Sequence, residues 1–415
     1  MDAVTLESIT EASKRLTGFV TATPLEHNRF LSDRYGANIF LKREDLQPIG
    51  SYKLRGAFNL MSGLSEEDKS RGTATASAGN HSQAVAYVAD QMGIEATIFM
   101  PRTTPTQKVQ NTERFGNGKV RIILEGDDFD EAYKAALAHA EKENKVFVHP
   151  FNDPLVISGQ GTVGKEVLEQ FEGNINYLLV PIGGGGLISG IGTYFFHTSP
   201  QTELIGVEPT EAAAMYHSLQ AGQLVTLDDF SHFVDGAAVR RVGNITFNIA
   251  QKLGYKMVLV PEGEVCTTVI ELYNKSRIVA ELAGALPVAA LSYLQNEIKG
   301  KNVVCILSGG NNDFDRLSEI RERSLIHKGL KHYFIIEFPQ RPGALKQFSE
   351  QALGPTDDIT RFEYTKKTAA ESGPALVGIQ LRRREDYEPL VSRFRDVGFK
   401  FEELRDNSTF LRYFI

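Results

Sequence analysis

Lys53 stands in "SYKLRGA" (51–57), just before Leu54 and two positions before Arg55. A lysine in a soluble protein is nearly always solvated. A buried one gives up its proton more readily and can act as a nucleophile or a base. Three other stretches carry residue types suited to a small anionic ligand. In "PIGGGGLISG" (181–190) an apolar run leads into Gly183, Gly184, Gly185, Gly186 and Leu187, where a helix pattern begins. Backbone N–H groups of such a loop, with a helix N-terminus behind them, can surround a phosphate. A merely flexible connection is the bland alternative, and four glycines straight off a buried strand weigh against it. In "SAGNHSQAVA" (77–86), Ser77 or Asn80 could cap the helix that follows. Equally, Ser77 and the backbone of Ala78, Gly79, Asn80 and His81 could receive a carboxylate. "SGGNND" (308–313) follows the apolar run "VVCIL"; Ser308 is either a turn residue or a neutral hydrogen-bond partner for a ring nitrogen.

Other chemistries are poorly supported. Gly184-x-Gly186, with Glu208 ending the next strand, approaches a dinucleotide fingerprint, but its third position is Ser189. Gly159, Gly164 and Lys165 approach a nucleotide P-loop, but Glu166 replaces the residue that would hold magnesium and would repel phosphate. No His/Cys/carboxylate cluster has metal-ligand spacing, although His81 and His149 lie near the motifs, so no metal is expected. No G-x-S-x-G elbow supports a serine hydrolase. The net charge of −7 gives no general drive toward nucleic acid or an anionic membrane. Cys266 and Cys305 read as reduced core residues, and no apolar run reaches membrane-spanning length. "MDAVTLESITEASKRLTGFV" reads as an amphipathic first helix rather than a signal peptide, and a cytoplasmic setting is expected.

These motifs need rigid strand ends to hold them. Strands are expected at 95–101, 119–126, 145–151, 177–183, 202–209, 257–263 and 302–310, separated by helix-period segments. That alternation predicts an α/β fold with parallel sheets, which bind ligands at the carboxyl ends of their strands. After about residue 318 the pattern changes. A charged helical stretch, 321–331, reads as a linker. Residues 332–415 then read strand–helix–strand–strand–helix–strand, an α+β ferredoxin-like domain without a strong catalytic candidate. Pro342 suits a first helical turn there, and the apolar tail "STFLRYFI" is expected to be buried.

Together, "GSYKLRGA", "SAGNHSQAVA", "HPFNDPLVISGQGTVGKEV", "PIGGGGLISG", "ELAGALPVAAL" and "SGGNND" resemble the fold-type II pyridoxal-phosphate enzymes, within them the threonine dehydratases. The resemblance spans about residues 20–320. "HYFIIEFPQRPGAL" is similar to the single ACT-like regulatory module of the shorter threonine dehydratases. The resemblance implies a two-domain catalytic region over 1–320, with a smaller subdomain at about 52–152, and a regulatory domain over 332–415. It implies pyridoxal 5′-phosphate as cofactor, with Lys53 as its covalent anchor and the catalytic base. Gly183 to Gly186 with Leu187 match the phosphate loop, Asn80 the partner of the ring's phenolic oxygen, and Ser308 the partner of the ring nitrogen. Ser77, Ala78, Gly79, Asn80 and His81 match the substrate-carboxylate loop, and Glu281 a glutamate near the ring.

The activity so implied is β-elimination and deamination of L-threonine to 2-oxobutanoate and ammonia, under feedback by isoleucine, with valine as a second candidate effector. A homo-oligomer, dimer or tetramer, is implied as well. Serine dehydratase or serine racemase is the alternative enzyme. Racemase-like relatives carry a cation-binding aspartate six residues after the glutamate matched by Glu208; here that position is Ala214. A non-catalytic amino-acid sensor is the alternative of another class.

Overall fold

The computed structural model describes residues 4–365 and 371–404, in two compact units, Met1–Asp313 and Phe314–Ile415. The first unit contains strands β1 (Leu25–His27), β2 (Asn38–Arg43), β3 (Thr73–Ala76), β4 (Ala96–Met100), β5 (Val120–Leu124) and β6 (Val146–Phe147), followed by β7 (Tyr177–Pro181), β8 (Glu203–Pro209), β9 (Lys256–Val260) and β10 (Asn302–Leu307). A six-stranded sheet has the order β1-β2-β10-β7-β8-β9, and only the β1–β2 pair is antiparallel. A four-stranded parallel sheet, β5-β4-β3-β6, is built from chain lying between β2 and β7. Strands β3 and β4 are buried at every residue, as expected for parallel strands covered on both faces.

The expected strand at 145–151 stops at Phe147. His149 Nδ1 accepts from the backbone N–H groups of Phe151 (3.1 Å) and Asn152 (2.8 Å), which turns the chain out of the sheet. The glycines that mimicked a P-loop lie inside helix Pro154–Gln170 and serve packing. A Cβ on Gly159 would come within 2.6 Å of the Arg55 carbonyl, and one on Gly164 within 3.3 Å of Ile191. Their absence of side chains lets the Lys53–Ser62 and Gly186–Thr198 helices approach closely.

An ion network crosses the same helix contact. Arg55, fully buried, donates to both oxygens of Glu44 (2.8 Å each) and of Glu166 (2.6 and 2.8 Å). Lys42, also fully buried, donates to Glu166 Oε2 and the Thr23 carbonyl, each at 2.6 Å. Burial alone would raise the Glu44 carboxyl, but Arg55 and Lys42 hold it below its usual value. Glu166, the residue that argued against nucleotide binding, is therefore the shared anion of a structural network.

The second unit begins at Phe314 with a short 3-10 turn, Phe314–Arg316, followed by helix Leu317–His327, so the stretch expected as a linker falls within it. Strands β11 (Lys331–Pro339), β12 (Asp358–Tyr364), β13 (Ser372–Gln380) and β14 (Lys400–Glu403) form an antiparallel sheet in the order β12-β13-β11-β14. With helices after β11 and β13, this is the ferredoxin-like arrangement of an ACT-like domain. Alternating Phe334, Ile336 and Phe338 of β11 face a core with Phe348, Leu390 and Phe394. Helix Ala344–Gln347 begins after Gly343, whose φ of +85° ends the turn holding Pro342; the proline precedes the helix instead of opening it. The tail "STFLRYFI" lies outside the described residues. Cys266 and Cys305 are buried, and neither forms a disulfide among the described residues. Among the described residues no helix is long and apolar enough to cross a membrane.

Removing one partner of a buried ion pair strands the others. Arg55→Ala is expected to lower the unfolding free energy of the first unit by about 3–5 kcal/mol. Chemical denaturation followed by far-UV circular dichroism measures this.

Candidate active site

Lys53 opens helix Lys53–Ser62, which starts shortly after β2. Its Nζ is held by the Pro150 carbonyl at 2.8 Å. Burial pulls the amine down to about 8, while Glu281 acts in the opposite sense. The loop before Lys53 is zipped to the end of β10. Ser51 bridges Gly309, Tyr52 N donates to the Ser308 carbonyl (3.0 Å), and Gly310 N donates to the Gly50 carbonyl (2.9 Å). "SYK" and "SGG" are thus one structural unit, with Ser308 buried beneath it.

Gly183–Gly186 follow β7 and enter helix Gly186–Thr198, with Gly185 at φ +89°. A Cβ on Gly184 would strike the Phe151 ring, and one on Gly185 would lie 2.8 Å from Met215 Cε and 2.9 Å from Thr246 Cβ. Thr246 Oγ1 also donates to the Gly184 carbonyl at 2.7 Å. Only glycines fit this packing, and the first N–H groups of a thirteen-residue helix stand at its head. Leu187 is buried in the apolar core, so only its backbone is available there.

Neither Ser77 nor Asn80 caps helix Asn80–Met92; Gly79 occupies the cap position without a side-chain bond. Ser77 Oγ accepts from Gly79 N at 3.2 Å, and the Ala78 side chain packs in a small apolar cluster. Asn80 Nδ2 donates to both oxygens of Glu281, at 2.8 and 2.9 Å. Burial drives the Glu281 carboxyl up to about 7 against the lowering effect of the Asn80 bond. His81 is turned into the core, its Nε2 2.9 Å from the Val148 carbonyl, and burial drops the imidazole to about 3. His149 is lowered to about 4, by burial first and Lys53 second. Both imidazoles are neutral at pH 7. Glu208 is buried elsewhere, accepting from Met215 N (2.9 Å) and Tyr216 N (2.8 Å); it closes a helix end and makes no ribose site.

The structure therefore brings Lys53, Asn80, Glu281 and Ser308 together. Pro150 and Phe151 place the glycine loop beside Lys53. Sequence reading gave no role to Phe151, Thr246 or Asn311. Phe151 and Asn311 lay inside motifs already quoted; Thr246 carried no local signal. A tight anion cradle beside an amine whose ammonium is disfavoured fits an aldehyde that carries a phosphate. Among the described residues no group of three His, Cys, Asp or Glu side chains could hold a metal ion.

Comparison with known proteins identifies the family. Residues 16–309 match the family "Pyridoxal-phosphate dependent enzyme", and residues 322–414 match the "C-terminal regulatory domain of Threonine dehydratase". Biosynthetic L-threonine dehydratase of Halalkalibacterium halodurans is 50% identical over 415 residues, covering 100% of both chains. The chain belongs to the threonine dehydratase family of pyridoxal-phosphate dependent enzymes. Among solved structures, processed threonine deaminase isoform 2 of Solanum lycopersicum superposes with a TM-score of 0.74 at 40% identity, covering 77% of this chain and 87% of that one. Maize serine racemase gives 0.71 at 32% identity, covering 78% of this chain and 99% of that one.

Below a pH of about 8 the Lys53 amine is protonated, and above it free to attack. Labelling of Lys53 by an amine-directed aldehyde with borohydride trapping is expected to be half-maximal near that pH. Surface lysines respond about two units higher. Peptide mapping resolves the two classes.

Proposed function

We propose that this protein converts L-threonine to 2-oxobutanoate and ammonia with pyridoxal phosphate as cofactor, the first committed step of isoleucine biosynthesis. The observation that carries this reading is the Lys53 amine, lowered by burial and held by the Pro150 carbonyl beside the glycine loop. Pyridoxal phosphate, when bound, supplies an aldehyde for amines and an electron-withdrawing ring.

The roles of the chain's own residues follow from their chemistry. Lys53 would anchor the cofactor, and its Nζ, when free, would take the Cα proton. Gly183–Gly186 and the Leu187 backbone bind the phosphate through N–H groups and the helix dipole. Asn80 meets the phenolic oxygen. Ser77 and the backbone of residues 78–81 orient the substrate carboxylate. Ser308 offers the ring nitrogen a neutral hydroxyl, which leaves the ring less electron-deficient than a carboxylate partner would. That favours prompt loss of the β-hydroxyl over transamination. Glu281, with its carboxyl near 7, is poised to hold or release a proton beside the ring.

The second unit supports a regulated enzyme, since its matched family is a regulatory domain. We infer that isoleucine is its effector, that the protein works as a homo-oligomer, and that it acts in the cytoplasm. Serine dehydration or racemisation is the competing reading, favoured by the likeness to maize serine racemase. Steady-state rates decide between them; a large preference for serine overturns the threonine assignment.

Lys53→Ala is expected to abolish 2-oxobutanoate formation and the visible absorbance of the bound cofactor together. A colourless, inactive wild-type protein would instead indicate an amino-acid sensor. Removing Phe314–Ile415 is expected to keep threonine turnover and lose its inhibition by isoleucine, read in the same assay with and without the effector.

A further inference from the structure

Asn311 has no role in the reading above, yet it makes the bonds that orient Asn80. Its Nδ2 lies 2.7 Å from the Ile49 carbonyl oxygen, 2.7 Å from Asn80 Oδ1 and 3.3 Å from Gln83 Oε1. An asparagine amide has one donating and one accepting end of nearly equal shape, so its partners must choose the orientation. A backbone carbonyl can only accept, so Ile49 sets the amino end of Asn311. That amino end faces Asn80, whose near atom must then be its oxygen. The amino end of Asn80 is thereby turned toward Glu281, where it meets two carboxylate oxygens. The Ile49 carbonyl at one end and the Glu281 carboxylate at the other, both acceptors, thus agree on the direction of every bond in this relay.

The local backbone is shaped for this contact. Gly50 has φ +74°, and a Cβ there would overlap the Asn311 amide. The Gly310 N to Gly50 carbonyl bond pins the chain next to Asn311 to the same loop.

We propose that Asn311 is a positioning residue for the reaction, locking the Asn80 amide so that its amino group, and not its oxygen, faces the cofactor's phenolic oxygen. The inference rests on the reading that Asn80 meets that oxygen. A phenolate accepts hydrogen bonds; an amide oxygen turned toward it would repel it. Asn311 itself does not touch the reacting atoms.

The test compares cofactor-loaded wild type with Asn80→Ala, Asn311→Ala, Asn311→Asp and the Asn80→Ala/Asn311→Ala double variant. Two quantities are read: the pH midpoint at which the bound cofactor's visible band changes, and the rate of cofactor release. Asn80→Ala and Asn311→Ala are both expected to move the midpoint in the same direction and to speed release about tenfold, the loss of one hydrogen bond to a charged group. The double variant is expected to match Asn80→Ala alone, because Asn311 acts through Asn80. Asn311→Asp keeps the shape but cannot donate, so it reproduces the shift even if the alanine variant folds poorly. If Asn80→Ala leaves both quantities unchanged, the Asn80 reading and this inference fall together. If Asn80→Ala changes them while both Asn311 variants do not, or the two alanine effects simply add, Asn80 keeps its role and Asn311 loses its own.

Discussion

Arg55 cannot be buried without matched charge, and the first unit is arranged around that requirement. Glu44 comes from the turn after β2 and Glu166 from the long helix Pro154–Gln170, while Lys42 balances the second carboxylate. Two cations and two anions leave the cluster neutral. Networks of this kind add little net stability over apolar packing, because desolvation offsets the attraction. Their geometric demand is strict, however, and here it sets where the Lys53–Ser62 helix lies. Lys53 is on the first turn of that helix, two residues before Arg55. Docking Arg55 therefore fixes the turn from which Lys53 projects, and burial around Lys53 lowers its amine toward a usable nucleophile.

A second constraint acts at the site itself, where polar groups leave water and must find partners within the protein. The loops carrying Lys53, Asn80, Glu281 and Ser308 satisfy one another. Backbone bonds join residues 50–52 to 308–310, and side-chain amides join Asn311 to Asn80 and Asn80 to Glu281. The glycine loop answers a steric demand instead, because Phe151, Met215 and Thr246 leave no volume for side chains there. Rigid packing below and mutual hydrogen bonding above hold the groups before any ligand arrives, which lowers the ordering cost of binding.

Much of this was legible beforehand, for identifiable reasons. The strand–helix alternation is a local periodic signal; it placed β4 and β7 to β10 to within a few residues but missed β2 and the short, fully buried β3. The glycine tetrad announced itself by composition. The expected strand at 145–151 was overestimated because the His149 turn that ends it depends on an imidazole nitrogen accepting two backbone bonds, which apolar patterning does not report. Capping by Ser77 or Asn80 was a sound local expectation that lost to a partner 201 residues away, Glu281. Glu166 looked like an argument against phosphate chemistry and nothing more; its own role appears only when Arg55 and Lys42 are seen beside it.

Residue type and short-range order alone determined that this chain forms parallel α/β sheets followed by a ferredoxin-like domain, and that a lysine, a glycine loop and small polar turns are its chemical equipment. Those are properties of neighbouring residues, read through period and propensity. Which groups face one another is different in kind. Whether Lys53 is charged, whether Asn80 caps a helix or bonds a carboxylate, and which end of its amide points where all depend on burial and on partners far away in the chain. Electrostatic and hydrogen-bond energies fall off over a few ångströms of space, not over residues of sequence. Only the folded chain supplies those distances.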